Sequence, residues 1–250
     1  MIQKNAPVSQ EKAGRLKACP VEGDRRRAIW ARLAESYDQR VARAERGTFA
    51  GGREWVCRRA SGVILEIAVG SGRNLAFYPA GSSITGIDFS PQMLQLARRR
   101  AAELNLAADL RLGDAQALEF PDSSFDTVVC TLGLCSVPDH VPAIREACRV
   151  LKPGGHFLLL EHVASDRSWV RIGQRLVELW TLRMEGDHQL RRPLAVLKAE
   201  GFEILEEERL KLGIVHRIDA RRPALAAVGA AATAGTDPRR QETTIKGELS

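Results

Sequence analysis

The residues best suited to chemistry lie in two short segments, 63–74 and 84–88. The first reads Val-Ile-Leu-Glu-Ile-Ala-Val-Gly-Ser-Gly-Arg-Asn, an apolar strand that carries Glu66 and breaks into a turn at Gly70 and Gly72. The second is another apolar run, and it ends in Asp88. An acid about 20 residues beyond a glycine turn is where parallel α/β folds bind the ribose of a nucleotide. The two segments therefore predict a nucleotide-type site at the carboxyl ends of parallel strands.

The glycine turn also separates the possible cofactors. A dinucleotide turn needs a third glycine so that the pyrophosphate can approach the helix N-terminus, but that position is Leu75. Glu66, just before the turn, would repel a pyrophosphate and instead suits a ligand with a cationic amino group. S-adenosylmethionine (SAM) has such a group, two ribose hydroxyls and no phosphate. The sequence thus predicts SAM as the cofactor and disfavours a NAD-dependent oxidoreductase.

Strands and helices alternate along most of the chain, which predicts an α/β fold with a parallel sheet. Ser90 is a good N-cap, with Pro91 at the first helical position. One folded domain, 25–232, is expected between a loose arm, 1–24, and a polar tail, 233–250. Helical spacing predicts helices at 26–45, 91–104, 141–151, 169–183 and 193–199. Apolar runs predict strands at 63–68, 84–88, 109–112, 125–130 and 156–161, and a late hairpin of 202–212 and 224–231.

Composition narrows the class of protein. The chain has 250 residues and a formal net charge of +6. Its arginines are spread over helix faces and its few aromatic residues do not alternate with basic ones, so nucleic acid is not an expected partner. No apolar run is long enough to span a membrane, and no signal peptide or hydrophobic N-terminal anchor is visible. Five cysteines have neither Cys-x-x-Cys nor zinc spacing. We expect a cytoplasmic protein with reduced cysteines and no metal.

A third segment, Gly113-Asp114-Ala115-Gln116, follows the 109–112 strand. Its carboxylate could accept from the adenine amino group, while the Ala115 amide donates to a ring nitrogen. With the segments 120–126 and 149–155, these elements resemble the class I SAM-dependent methyltransferases over about 30–231. The segments 129–137 and 160–164 are similar to those of animal thiol S-methyltransferases in the methyltransferase type 11 group, and to related bacterial enzymes.

The resemblance implies a Rossmann-like seven-stranded sheet, mostly parallel with the last strand antiparallel, and helices on both faces. This chain departs from the family at Ala68, where glycine is usual. The turn, the strand ends and the resemblance together give the candidate cofactor-binding residues: Glu66, Ala68, Gly70, Ser71, Gly72, Asn74, Asp88, Phe89, Met93, Asp114, Ala115, Thr131 and Leu132.

The loops that follow the strands should form the acceptor pocket. His140 and His162 are candidate bases there, and Tyr37 in the entry helix is a candidate lid over the transferred methyl group. Cys135 has no basic neighbour in sequence and is expected to be a buried wall. The segment 166–192, which contains an amphipathic helix, is expected to cover the pocket.

Two features of the acceptor loop restrict the acceptor. The loop after the fourth strand lacks both an Asn/Asp-Pro-Pro-aromatic sequence and a Pro-Cys dipeptide, so base amines, glutamine amides and cytosine C5 are not expected acceptors. The leading expectation is methyl transfer to a small, apolar thiol, because a thiol needs little help to ionise. Transfer to a phospholipid, quinone or phenolic metabolite is the alternative, since the arginine-rich 169–183 helix could contact an acidic membrane surface. A SAM-binding protein without turnover is the non-enzyme alternative, and the oligomeric state stays open.

Overall fold

A computed structural model of the chain describes residues 20–184 and 186–224. The helices of this part are α1 (Pro20–Gly47), α2 (Gly52–Cys57), α3 (Pro91–Glu103), α4 (His140–Val150), α5 (Ser168–Met184) and α6 (Pro193–Ala199). Its strands are β1 (Val63–Ile67), β2 (Ser83–Asp88), β3 (Ala108–Leu112), β4 (Phe125–Thr131), β5 (Leu151–His162), β6 (Glu203–Leu210) and β7 (Val215–Arg221). The predicted tail and residues 1–19 of the predicted arm lie outside the described residues.

The seven strands form one sheet in the order β3-β2-β1-β4-β5-β7-β6. Neighbouring strands from β3 to β5 pair in parallel. β7 is antiparallel to both of its neighbours, β5 and β6. This confirms the predicted Rossmann-like sheet with an antiparallel last strand. The strand order reverses between β1 and β4, and a ligand crevice is expected at the carboxyl ends of strands at such a point.

Helices bury both faces of the sheet because successive strand side chains point to opposite sides. Leu65 and Ile67 of β1 pack in one core, whereas Ile64, the residue before Leu65, packs in the other. α4 and α6 contribute to the first core, and α2 and α3 to the second. Ser90 caps α3, its hydroxyl accepting from the Met93 amide, as predicted.

The structure departs from the sequence prediction by more than two residues at four elements. α1 begins at Pro20, so residues 20–24 are helical rather than part of a loose arm, and the short helix α2 was not predicted. β5 was predicted at 156–161 but begins at Leu151, since the strand pairs with β4 on both sides of a register shift, at Leu151 and again from His156. The last strand was predicted at 224–231, but β7 lies at Val215–Arg221, and residues 225–231 are outside the described part.

Two further findings concern the same described residues. None of their helices has the length and hydropathy of a membrane span. Four cysteines, Cys57, Cys130, Cys135 and Cys148, are free thiols.

Candidate active site

The two glycines after β1 have different surroundings. Both have left-handed backbones, with φ of +56° at Gly70 and +76° at Gly72. A Cβ on Gly70 would meet nothing nearer than the Ala68 carbonyl oxygen at 4.0 Å, so it would stand in open cavity space. A Cβ on Gly72 would lie 2.9 Å from Leu75 Cδ1 and 3.0 Å from Ala97 Cα. Gly70 therefore leaves room for a ligand, whereas Gly72 lets the loop pack on α3.

Asp88 holds the glycine loop and the start of α3 together. Its Oδ2 accepts from the Gly70 amide at 2.8 Å and its Oδ1 from the Ser90 amide at 2.8 Å. Burial raises the pKa of Asp88 to about 6, although the Ser90 and Gly70 amides stabilise the carboxylate. Each oxygen keeps a further lone pair, so the side chain can also accept from two hydroxyl groups on the cavity side.

Glu66 lies behind the cavity wall. Its oxygens accept from Asn74 Nδ2 at 2.9 Å and from the Tyr78 hydroxyl at 2.7 Å. The same Asn74 amide donates to Thr131 Oγ1 at 3.0 Å, and Asn74 Oδ1 accepts from Arg53 Nη1 at 2.8 Å. Burial raises the pKa of Glu66 to about 7, against the effects of Tyr78, Arg53 and Asn74. Glu66 therefore fixes residues around the cavity, and its contact with the amino group of SAM stays a prediction.

Helix α1 is tied to the glycine loop by ion pairs. Asp38 accepts from the Ser71 hydroxyl at 2.6 Å and is paired with Arg100 of α3. Glu45 is paired with Arg73, just beyond the loop. Burial opposes ionisation of both acids, but these donors outweigh it and lower the pKa of Asp38 and of Glu45. The contacts hold α1 across the carboxyl edge of the sheet.

Three adjoining cavities follow this edge. A central cavity of about 30 Å³ lies over the glycine loop, between Asp88, Thr131 and Tyr37. An outer cavity of about 290 Å³ shares Ala68, Asp88 and Phe89 with it. A third, of about 280 Å³, shares Trp30, Tyr37 and Leu132 with it and is called the acceptor cavity below. Trp30 and Tyr37 of α1 form part of the wall of the central cavity.

Most of the predicted cofactor residues line these cavities. Those of the central cavity are Ala68, Gly70, Ser71, Asp88, Phe89, Met93, Thr131 and Leu132. Asp114 and Ala115 line the outer cavity. Glu66, Gly72 and Asn74 are not among the residues that line the three cavities.

The acceptor cavity has apolar walls and a polar end. Trp30, Leu33 and Val41 of α1 form apolar wall, with Leu132 opposite. Cys135, His162, Asp187 and the α1 residues Tyr37 and Arg40 supply its polar groups. Cys135 is buried, as predicted.

At the polar end of the acceptor cavity, none of the described groups with a shifted pKa is a strong base. Burial, and then the positive charge of Arg191, lower the pKa of His162 to about 4. Its Nδ1 atom is buried and has no hydrogen-bond partner in the described part of the chain. Burial raises the pKa of Tyr37 and raises that of Cys135 well above its usual range. At neutral pH the imidazole is therefore neutral, and the phenol and thiol keep their protons.

Cys135, His162 and Asp187 each present one ligand atom within 4.8 Å of the others. They are the described residues best able to hold a metal ion, with Asp187 also accepting from the Ser136 hydroxyl at 2.6 Å. The absence of a metal stays a prediction.

His140 and helix α5 are placed differently from the other acceptor candidates. His140 is the first residue of α4, 3.7 Å from the Asp139 carboxylate, and is not among the residues lining the three cavities. Of the residues in the predicted pocket cover, 166–192, Asp187 lines the acceptor cavity. The large apolar side chains of α5 are instead exposed, and the covering side chains come from α1.

Several cavity residues were not foreseen from the sequence. Arg53, Trp30 and Ser136 line the central cavity, and Arg40 and Asp187 line the acceptor cavity. Ser136 lies in the segment 129–137 and Asp187 in the predicted cover 166–192, although neither was named as a site residue. Trp30, Arg40 and Arg53 reach the site from α1 and α2, outside the strand–turn pattern. The helical spacing of Trp30 indicated only that it faces the domain.

Two non-glycine residues beside the central cavity have left-handed backbones. These are Ala68, with φ of +55°, and Leu132, with φ of +53°. Such a conformation costs roughly 1–2 kcal/mol per residue, and residues held in it concentrate at functional sites. Ala68 also explains the neighbouring glycine, because a Cβ on Gly133 would lie 2.7 Å from Ala68 Cβ.

The cavity walls fit SAM in their donors and acceptors. Asp88 faces the central and outer cavities with spare lone pairs, Gly70 leaves open space, and Asp114 lies at the outer end. Because SAM has no pyrophosphate, its site does not need a cluster of basic side chains. The central cavity alone, about 30 Å³, is too small for the whole ligand, so SAM would extend into the outer cavity, which shares Ala68, Asp88 and Phe89 with it.

Comparison with known proteins identifies the family. Residues 65–159 match the model of a methyltransferase domain. Thiol S-methyltransferase TMT1A of Homo sapiens is 31% identical over 185 residues, which cover 72% of this chain and 76% of that protein. Phosphatidylethanolamine N-methyltransferase of Cereibacter sphaeroides is 40% identical over 108 residues, 42% of this chain and 53% of that protein.

A solved structure gives the same result. The crystal structure of a SAM-dependent methyltransferase from Methanosarcina mazei is similar with a TM-score of 0.53 at 28% identity, covering 64% of this chain and 92% of that one. The match to the human enzyme extends over most of both chains. The chain therefore belongs to the class I SAM-dependent methyltransferases, and SAM is its cofactor.

Proposed function

We propose that the protein methylates the sulfur of a small, largely apolar thiol held in the acceptor cavity. The observation that carries the proposal is the burial of His162 at the polar end of the acceptor cavity, which lowers its pKa to about 4 and makes it a weak base. A weak base cannot readily ionise an alcohol, whereas a thiol with a pKa near 8.5 is partly thiolate at neutral pH. The thiol S-methyltransferase among the relatives supports the same acceptor.

The residues around the cofactor divide into contacts and supports. We infer that Asp88 accepts from the ribose hydroxyls, that Asp114 and Ala115 hold the adenine, and that the backbone near Gly70 and Thr131 approaches the methionine part. Glu66, Asn74 and Gly72 support these contacts from behind, through the hydrogen bonds and packing given above.

The transfer needs alignment more than proton transfer. When bound, SAM supplies an electrophilic sulfonium methyl group. Trp30 and Tyr37 lie in the walls of both the central and acceptor cavities, so they can align the acceptor sulfur with that methyl group and exclude water. The S–H proton leaves to solvent before the new S–CH₃ bond forms, since a thiol is partly ionised at neutral pH without help from a strong base.

A second candidate is methylation of a phospholipid, quinone or phenolic metabolite. The observation that favours it is the bacterial phosphatidylethanolamine N-methyltransferase, 40% identical over the part of the chain that it matches. A cytoplasmic location, the apolar character of the acceptor and the lack of a nucleic-acid partner also stay predictions.

An acceptor screen tests the two candidates. Purified protein with methyl-labelled SAM is offered an alkyl thiol, an aryl thiol, a phenol, a primary amine, a quinol and phosphatidylethanolamine vesicles, and products are identified by mass spectrometry. We expect methyl thioethers as the main products. Label found only in phenol, quinol or lipid would contradict the thiol proposal.

A further inference from the structure

Helix α5 turns its apolar side outward. Trp169, Ile172, Leu176, Leu179 and Trp180 are between 57% and 71% exposed. Exposed apolar residues scattered singly are ordinary, but a contiguous group of large ones indicates a contact surface.

The five side chains form one stripe. At 3.6 residues per turn they fall within an arc of about 100°. The buried residues of α5, Val170, Gln174 and Thr181, lie on the opposite side. The side of the helix with these buried residues faces the domain, and the apolar stripe faces away from it.

Gln174 anchors the helix firmly. Its amide donates to the Val163 carbonyl at 2.7 Å and its carbonyl accepts from the Ser165 amide at 2.8 Å. The outward stripe is therefore a fixed feature of the fold, since the buried side of α5 is held by specific hydrogen bonds.

The exposed charges of the helix itself are positive. Arg175 and Arg183 are the exposed charged residues of α5 within the described part of the chain; just before the helix, exposed Arg167 is followed back along the chain by exposed Asp166, which pairs with Arg209 at 3.2 Å. The helix's own acid, Glu178, is half-buried and accepts from the Leu190 amide at 3.3 Å. A surface with an apolar stripe, two tryptophans and exposed arginines complements an anionic bilayer.

We propose that α5 lies in the interface of an anionic phospholipid bilayer, with the Trp169–Trp180 stripe inserted among the lipids. A second copy of the chain is a poorer occupant of this face. An isologous contact through α5 would bring the exposed arginines of two copies together with no exposed carboxylate from the described part of either helix to offset them.

The docked helix would stand beside the acceptor cavity. Thr181 Oγ1 of α5 donates to the backbone carbonyl of Asp187 at 2.9 Å, and Asp187 lines that cavity. An apolar acceptor dissolved in the bilayer could then enter close to the site. This last step rests on the proposed function, whereas docking itself does not.

Vesicle flotation tests the proposal with the full chain. Vesicles of phosphatidylcholine alone are compared with vesicles containing about one third phosphatidylglycerol. We expect at least about tenfold more protein on the anionic vesicles, with a blue shift in tryptophan emission, and release at high salt. The double variant Leu176→Glu/Leu179→Glu should lose this binding, whereas Leu205→Glu, which alters an exposed leucine on β6, should keep it.

Two outcomes would overturn the docking proposal. One is equal binding by wild type and Leu176→Glu/Leu179→Glu. The other is a lipid-free dimer, seen by light scattering, that the double variant converts to monomer while no variant binds vesicles. Methylation of a water-soluble thiol is measured in parallel without lipid. If docking occurs and no thiol is methylated, the proposed function fails and the docking surface stands.

Discussion

The central and outer cavities form the cofactor end of the cleft, and the acceptor cavity forms its other end. At each end a buried carboxyl group holds a loop in place. At the cofactor end, Asp88 closes β2 and accepts from the amides of Gly70 and Ser90. At the acceptor end, Glu161 near the end of β5 accepts from the amides of Gly133 and Leu134, both at 2.8 Å. Both are buried carboxyls, and burial raises the pKa of Asp88 to about 6 and of Glu161 to about 7. Only Asp88 also lines a cavity, so one carboxyl shapes its loop and can bind a ligand, and the other shapes its loop alone.

Replacing each carboxyl by alanine sharpens this comparison and should give the largest effect. Each change leaves two backbone amides without their acceptor, at a cost of about 1–3 kcal/mol apiece if they stay buried. We expect similar losses of stability in thermal unfolding. Asp88→Ala should also weaken SAM binding by about a hundredfold or more, because two hydroxyl groups lose a charged acceptor.

The matched variant is Glu161→Ala, for which calorimetry should show a change in SAM affinity of less than about tenfold. Equal losses of affinity in both variants would mean that Asp88 acts only on the loop, and would move the ribose elsewhere.

The two glycines allow a second test within the cofactor end. Alanine at either position meets a left-handed backbone, so the conformational cost is common to both. Gly70→Ala places a methyl in open cavity space and should reduce SAM affinity at least about tenfold, with a stability loss near 1 kcal/mol. Gly72→Ala drives a methyl against Leu75 and Ala97 and should lose a further 1–3 kcal/mol or so of stability.

Thermal unfolding and calorimetry on the same two samples check this assignment. A Gly70→Ala protein that binds SAM normally would show that the ligand does not approach the backbone there.

The two ends also differ in how far the sequence predicted them. The cofactor end is built from consecutive strand–turn units, so local signals such as the apolar run before Gly70 and the Ser90 cap predicted its elements. Pocket residues such as Arg53 and Asp187 arrive from elements outside those units, and no spacing in the chain indicates that they meet. Contacts made between distant segments decide such positions.

The wrong strand bounds have the same cause. Residues 152–155 have turn composition, yet β5 continues through them because the Gly154 amide donates to the Arg222 carbonyl and the Arg222 amide to that of Gly155. The 224–231 segment is more uniformly apolar than β7, but β7 needs only alternate apolar residues, Ile218 and Ala220 among them, to pack on the core.

From the two buried acids at the cofactor end we expect pH to affect the stability of the ligand-free fold and the affinity for SAM in opposite directions. Asp88 and Glu66 have folded-state pKa values of about 6 and about 7, above unfolded values near 4. Between roughly pH 4 and pH 7 the ligand-free fold therefore binds more protons than the unfolded chain, and their contribution to the free energy of unfolding falls as pH rises.

SAM affinity should change in the other direction, rising about tenfold from about pH 5 to about pH 8, because a carboxylate accepts hydroxyl hydrogen bonds better than a carboxylic acid. Calorimetry and chemical unfolding across this range measure the two trends. Glu66→Gln should flatten the ligand-free trend, since it removes the group with the higher pKa. Trends of the same sign would mean that weaker binding at low pH reflects loss of the fold.

At the acceptor end the expected effect is the smallest. His162→Ala should lower the rate toward a thiol by less than about fivefold, because the thiolate forms without a strong base and alignment limits the reaction. The rate should rise with pH toward the thiol pKa, with no further step near the pKa of His162, about 4. His156→Ala is the matched control, since His156 pairs with Asp219 at 2.8 Å, and neither residue lines the three cavities. A loss of 10²–10⁴ in rate confined to His162→Ala is the size expected for a lost general base. It would replace the thiol by an oxygen acceptor while leaving the cofactor end unchanged.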